Sequence, residues 1–160
     1  MIDRVTFEKT TYAPAPQRFE AGTPAITEAV ALHAAIDYVE TIGLDTIHAG
    51  ETALVAQLRD ALSKMNDVTI FGPADSAGIV SVMLDGVDTH DLGTILDGAN
   101  VAIRAGHHCA QLVMKHFNVA ATTRASFSMY NTTDDVDRLT ARALREGADG
   151  RVVDVVGALE

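Results

Sequence analysis

Tryptophan is absent from this 160-residue chain, and all aromatic residues together make up 5% of it. Its core must therefore be aliphatic, drawn from the Ala, Val, Leu and Ile that dominate its 48% of hydrophobic residues. Basic residues are also scarce, with 12 Lys and Arg against 22 Asp and Glu and a formal charge of −10. That balance excludes the broad cationic face a phosphate backbone requires, so no nucleic-acid partner is expected. An anionic membrane surface is disfavoured for the same reason, whereas a local basic pocket for a small anion stays compatible. No apolar run approaches the roughly 18 residues needed to span a bilayer. The N-terminal run Met1-Ile-Asp-Arg-Val-Thr-Phe-Glu-Lys9 lacks the charge, apolar stretch and cleavage site of a signal peptide. A single cysteine cannot form an internal disulfide, and the reducing cytoplasm is the simplest compartment. Internal repeats and low-complexity tracts are lacking, and the length suits one domain.

Patterning predicts what is present. Residues 1–22 read as an extended lead-in arm, with Val5 and Phe7 alternating as a short strand and Thr10 to Gln17 as a loop punctuated by Pro14 and Pro16. Thr23-Pro24 predicts a helix start, Thr as N-cap and Pro at the first position, with the helix running to about Ile42 before Gly43. A second helix is expected at about 45–65, with Ile47, Leu54, Leu58, Ala61 and Met65 on one face. Strands follow at Val68–Phe71 and Ile79–Leu84, then a short helix at about 88–98, a strand at Val101–Arg104 and a short helix from Cys109 to about His116. Arg124 to Met129 alternates, with Arg124, Ser126 and Ser128 on one face and Ala125, Phe127 and Met129 on the other. Thr132 and Asp135 resemble a capping box opening a last helix over about 133–147. The expected domain is thus 23–147, followed by a weakly patterned tail over 148–160. The order predicts an α+β fold, a small, mainly antiparallel sheet covered by helices.

Few residues carry reactive chemistry. Cys109 follows Gly106, His107 and His108 at a predicted strand-to-helix junction, where unpaired backbone N–H groups favour a thiolate. His107 and His108 could add positive charge or accept a proton. The competing reading is a small buried hydrophobe, the usual state of a free cysteine. Metal binding by His107, His108 and Cys109 is disfavoured, because adjacent side chains diverge and no Cys-x-x-Cys or His-x-x-x-His pair supports it. Arg124, among hydroxyls on a polar strand face, suits bidentate capture of a carboxylate, and Arg104 lies just before the Gly-His-His-Cys run. Either arginine could equally serve in a structural salt bridge. Gly22 and Thr23 offer backbone and hydroxyl donors to an anion or phosphate, or simply cap the helix. His33, His48 and His90 read as structural or solvated.

Three motifs in order, Arg18-Phe-Glu-Ala-Gly-Thr-Pro24, Arg104-Ala-Gly-His-His-Cys-Ala110 and Arg124-Ala-Ser-Phe-Ser-Met-Tyr-Asn131, give the chain a family likeness. Over about residues 1–147 it resembles the C-terminal part of group II (Suf-type) cysteine desulfurases and selenocysteine lyases, in the class V aminotransferase fold family. The resemblance implies a pyridoxal phosphate enzyme that converts L-cysteine to L-alanine for iron–sulfur cluster assembly. It assigns the persulfide to Cys109, the substrate carboxylate to Arg124, the active-site entrance to Arg104 and the cofactor phosphate of a partner subunit to Thr23 beside Gly22. It also implies a homodimer or higher oligomer and a sulfur-acceptor protein.

One departure accompanies the likeness. The family's cofactor lysine follows a histidine in a large domain, whereas this chain has only Lys9, Lys64 and Lys115, none in that context. The expectation is therefore a C-terminal region that binds no pyridoxal phosphate and does not turn over alone. A stand-alone sulfur carrier and an inactive relic domain are the competing readings.

Overall fold

A computed structural model describes residues 1–140. The described residues divide into two compact units, one of residues 1–43 and one beginning at residue 44. In the first, β1 (Ile2–Val5) and β2 (Thr10–Tyr12) form an antiparallel hairpin. The hydroxyl of Thr6 closes its turn by accepting from Lys9 N–H at 3.1 Å. The strand at Thr10–Tyr12 corrects the expected loop, and Phe7 lies in the turn rather than in a strand. A 3-10 turn over Gln17–Phe19 leads to α1 (Ile26–Ile42). The cap of α1 is Ala25, without a side-chain hydrogen bond, so the Thr23 N-cap and Pro24 first position are both corrected. Gly43, at φ +90, ends the helix as its sequence position predicts. No residue of α1 is buried, and Ile26, Val30, Leu32, Ile36 and Tyr38 are all exposed.

The second unit holds the core. Helix α2 (Leu44–Leu62) buries Leu54, Val55, Leu58 and Leu62 along one stripe, as its 3.6-residue period dictates. Strands β3 (Val68–Phe71), β4 (Ile79–Leu84), β5 (Arg104–Gly106) and β6 (Thr122–Ser126) form a four-stranded sheet in the order β3-β4-β6-β5. Every neighbouring pair is antiparallel. The fold is α+β with small antiparallel sheets, as the patterning predicts. On β4, Val80, Val82 and Leu84 are buried while the residues between them are not, the alternation of a strand packed on one face. Helix α3 (Thr89–Gly98) packs Leu92 and Leu96 into the same core and is capped by Asp88, whose carboxylate accepts from His90 N–H at 2.8 Å. Helix α4 (Gln111–Phe117) follows β5, and α5 (Thr133–Arg138) contributes Val136. Asp135 accepts from the Thr132 N–H at 2.9 Å, the carboxylate half of the expected capping box. The Gln57 amide donates to Asp137 at 2.9 Å and ties α5 to α2. The remainder of the predicted 133–147 helix, and Ala143 within it, lie outside the described residues.

Three boundaries in this unit differ from the expected ones, and all bear on the site. The alternating strand expected over Arg124–Met129 runs instead over Thr122–Ser126, with Ser128 and Met129 beyond it. The strand expected at Val101–Arg104 lies at Arg104–Gly106. Val101 and Ile103 are instead partly buried against the core, so their apolar character reports packing rather than sheet pairing. The helix expected to begin at Cys109 begins at Gln111, which leaves Cys109 in the turn before it.

Candidate active site

The sheet has two chemically distinct faces. Val80, Val82, Thr123 and Ala125 point toward the helices α2, α3 and α5. Ser81, Arg124 and Arg104 form one row across the other face, because Ser81 pairs with Arg124 and Arg124 pairs with Arg104. Gly106 lies opposite Thr122 in the next row of that face. Phe71 extends the first row on β3, where its ring meets Phe117 of α4 edge-on at 5.3 Å. Helix α4 therefore shields one end of this polar face, and the other end stays open.

At the open end lies a cleft of about 630 Å³ whose lining includes Arg104, His107, His108, Cys109, Gln111 and His90. Cys109 is exposed, which overturns its reading as a small buried hydrophobe. The Arg104 guanidinium donates from Nη2 to its sulfur at 3.3 Å. A guanidinium hydrogen bond favours negative charge on the atom that accepts it. The described residues contain two ion pairs, His33–Asp37 and Lys64–Asp60, and neither involves Arg104 or Arg124. Structural salt bridging therefore does not account for either arginine among the described residues. Arg124 does not line the cleft; it sits one strand deeper with its Nε buried and without a partner.

His107 is exposed at the cleft, and His108 is partly buried. The His108 Nε2 lies 3.0 Å from the Thr122 carbonyl and 2.9 Å from its hydroxyl. A carbonyl only accepts, so Nε2 carries the proton and Nδ1, buried and unpartnered, holds a lone pair. Burial pushes the His108 imidazole below the ordinary histidine value. The Thr122 hydrogen bond opposes that shift, while the positive charges of Arg124, Arg104 and His107 reinforce it. Residues His108 and Cys109 both adopt positive φ, 55° and 61°.

Gly22 and Thr23 belong to the first unit, where both are exposed and Gly22 has φ +85. His90, read from sequence as structural or solvated, lines the cleft, as do Gln111 and Ala121. Its Asp88-Thr-His-Asp91 context signals only a helix start. Its place beside the cysteine loop depends on α3 packing against β5, which no local pattern encodes. Among the described residues, no three His, Cys, Asp or Glu side chains converge as metal ligands would. No described helix is long and apolar enough to cross a membrane.

Residues 1–139 match the family model of the class-V aminotransferases. The chain belongs to that family. Among curated relatives, the "Probable cysteine desulfurase 2" of Mycobacterium leprae (strain TN) is 51% identical over 148 residues, covering 91% of this chain and 35% of that protein. A "Probable cysteine desulfurase" of Halobacterium salinarum is 46% identical over 143 residues, covering 88% of this chain and 34% of that protein. The apo cysteine desulfurase of Thermococcus onnurineus NA1 superposes with a TM-score of 0.80 at 38% identity, over 93% of this chain and 38% of that one. The chain thus spans about a third of the length of the curated relatives it matches.

Proposed function

We propose that this chain is the C-terminal, nucleophile-bearing region of a group II (Suf-type) cysteine desulfurase, with Cys109 accepting sulfur from L-cysteine. The observation that carries the proposal is the exposed Cys109 sulfur held 3.3 Å from Arg104 Nη2 in an open cleft. Sulfur acceptance requires an accessible thiolate, and the guanidinium supplies charge where that thiolate forms. In the proposed step the Cys109 thiolate attacks the substrate sulfur. An S–S bond forms, the substrate C–S bond breaks, and its electron pair remains on the carbon skeleton. That carbon takes up a proton and leaves as L-alanine, so no external oxidant or reductant is consumed. The product on the protein is the Cys109 persulfide, to be passed to a sulfur-acceptor protein in iron–sulfur cluster assembly. Arg124, one strand deeper, is proposed to hold the substrate carboxylate and so to aim the substrate sulfur at Cys109. Arg104 is proposed to guard the entrance, with His107 and His108 supporting the thiol.

The pyridoxal phosphate expected of such an enzyme fits these residues only in part. Gly22 and Thr23, exposed, could meet its phosphate across a dimer interface. The lining of the Cys109 cleft contains no lysine to hold its aldehyde, and Lys64 is engaged with Asp60 at 2.6 Å. Residues 1–160 by themselves are therefore proposed to bind no pyridoxal phosphate and not to turn over, the cofactor being held by the large domain of such an enzyme. The exposed apolar side chains of α1 support a homodimer or higher oligomer, because such surface favours association. A free, exposed thiol suits the cytoplasm. A second reading, a stand-alone sulfur carrier, draws support from the same exposed thiol and lysine-free cleft.

One experiment separates these readings. The chain is incubated with L-cysteine and the complementary large domain of such an enzyme, or with a persulfide donor alone, and Cys109 is examined by mass spectrometry for one added sulfur. Sulfur transfer only in the first mixture, lost in Cys109→Ser, supports the desulfurase region. Transfer from the donor alone supports the carrier, and transfer in neither case refutes both.

A further inference from the structure

The turn that carries Cys109 is one its sequence does not favour. The N–H of Ala110 donates to the His107 carbonyl at 2.9 Å, which closes a β-turn with His108 and Cys109 at its centre. Both central residues have positive φ, 55° and 61°. That combination belongs to type I′ turns, which are dominated by Gly, Asn and Asp. For other L-residues each left-handed position is unfavourable, and it persists only where the surroundings over-determine it. The two central side chains supply that constraint. Cys109 accepts from Arg104, and His108 is bonded to both the carbonyl and the hydroxyl of Thr122. Thr122 is 1% exposed, so this anchor is fixed within the sheet. Arg104 and Thr122 both belong to the β5–β6 ladder, which places the two anchors on one rigid element.

We propose that His108 is a positioning residue: clamped to Thr122, it holds the His107–Ala110 turn in the left-handed geometry that sets the Cys109 sulfur against Arg104. This deepens the reading of Cys109 as the sulfur acceptor and rests on it for its functional meaning, but the geometry itself is testable without any sulfur transfer. His108 does not touch the reacting sulfur in this arrangement. Its neutral imidazole acts through Thr122 on the backbone, and Arg104 acts on the thiol. The unpartnered Nδ1 fits this division, since a proton there would lie buried without an acceptor.

The test is a double-mutant cycle read by the rate at which iodoacetamide alkylates Cys109 in the full chain near neutral pH. Arg104→Ala and His108→Ala are each expected to slow alkylation by roughly tenfold, since each removes the charge-assisted hydrogen bond at sulfur. In the Arg104→Ala background, His108→Ala is expected to add less than a twofold further loss, because the hydrogen bond it positions is already gone. His108→Gln, whose amide can donate to the Thr122 carbonyl, should restore the rate to within a few-fold of native. A purely structural histidine would lower thermal stability and leave the alkylation rate of the folded chain unchanged, and that outcome overturns the proposal. Independent, multiplying effects of the two substitutions also overturn it. If His108→Ala does not fold, His108→Asn replaces it in the cycle, since Asn tolerates positive φ and is too short to reach Thr122 as histidine does. Coupling in the cycle together with failed sulfur transfer would reject the desulfurase reading and keep the positioning role.

Discussion

Arg104 and Arg124 face each other directly across the β5–β6 ladder, and neither forms an ion pair among the described residues. Like charges placed directly opposite on neighbouring strands are destabilising, and the buried Arg124 Nε adds an unsatisfied donor. A small anion seated between the two guanidiniums would relieve both costs. The fold thus carries a local electrostatic conflict that a bound carboxylate can resolve.

Replacing Arg124 with Ser should therefore stabilise the chain by about 0.2–1 kcal/mol, the size of an unfavourable cross-strand pair. Urea melts of Arg124→Ser against native measure it. At constant ionic strength, propionate should raise the native midpoint by binding the folded state, and the variant should lose that response. A variant that is clearly less stable yet keeps the propionate response would contradict this reading of the pair.

The pH dependence of stability follows from His108. Its folded-state pKa lies below the ordinary 6.5, so between the two values the unfolded chain binds the extra proton. Stability is therefore complete above pH 6.5 and falls as the pH drops through that window. The charged groups acting on the imidazole are Arg124, Arg104 and His107, and all oppose its protonation. His108→Gln should flatten the slope between about pH 7.5 and about pH 5.5, as judged from urea midpoints at each pH. An unchanged slope would mean that other groups carry the acid sensitivity.

Leu96 has 0% exposure where α3 meets the sheet. Leu96→Ala should cost about 2–5 kcal/mol through lost burial and a residual cavity. That is a large part of the roughly 5–15 kcal/mol that holds a typical domain folded. Leu96→Met, close in volume, should cost less than about 1.5 kcal/mol. Urea unfolding with an unchanged slope and a shifted midpoint would confirm both values, whereas near-native stability of the alanine variant would show that the core collapses around the site.

The elements read most faithfully from sequence are those with strong internal periods. Strands β3 and β4 fall at the predicted residues, and α1, α2 and α3 lie within a few residues of their expected ends. Failures cluster where position depends on a distant partner. β5 is defined by its ladder to β6, so the apolar run Val101–Ile103 marks core packing and not the strand. The Cys109 turn lacks the Gly or Asn that would announce a left-handed pair, and the partner of its His108 is Thr122, fourteen residues on. Thr23 and Pro24 carry every local sign of a helix start, yet the helix opens at Ile26. For the site, sequence isolates Cys109, Arg104, Arg124, His107 and His108. It cannot reveal that the two arginines are cross-strand partners or that His90 shares the cleft, because both facts are tertiary.

Strand β6 contributes alternately to two compartments, with Arg124 on the polar face and Thr123 and Ala125 against the core. Inserting or deleting one residue just before it would exchange those roles along the whole strand. A guanidinium would enter the aliphatic interior and an alanine would take its place on the polar face. Single-residue length changes between Asn118 and Ala121 should therefore abolish folding. Lengthening the Gly72–Gly78 connection, which precedes β4 and bears no cleft residue, should be tolerated far better.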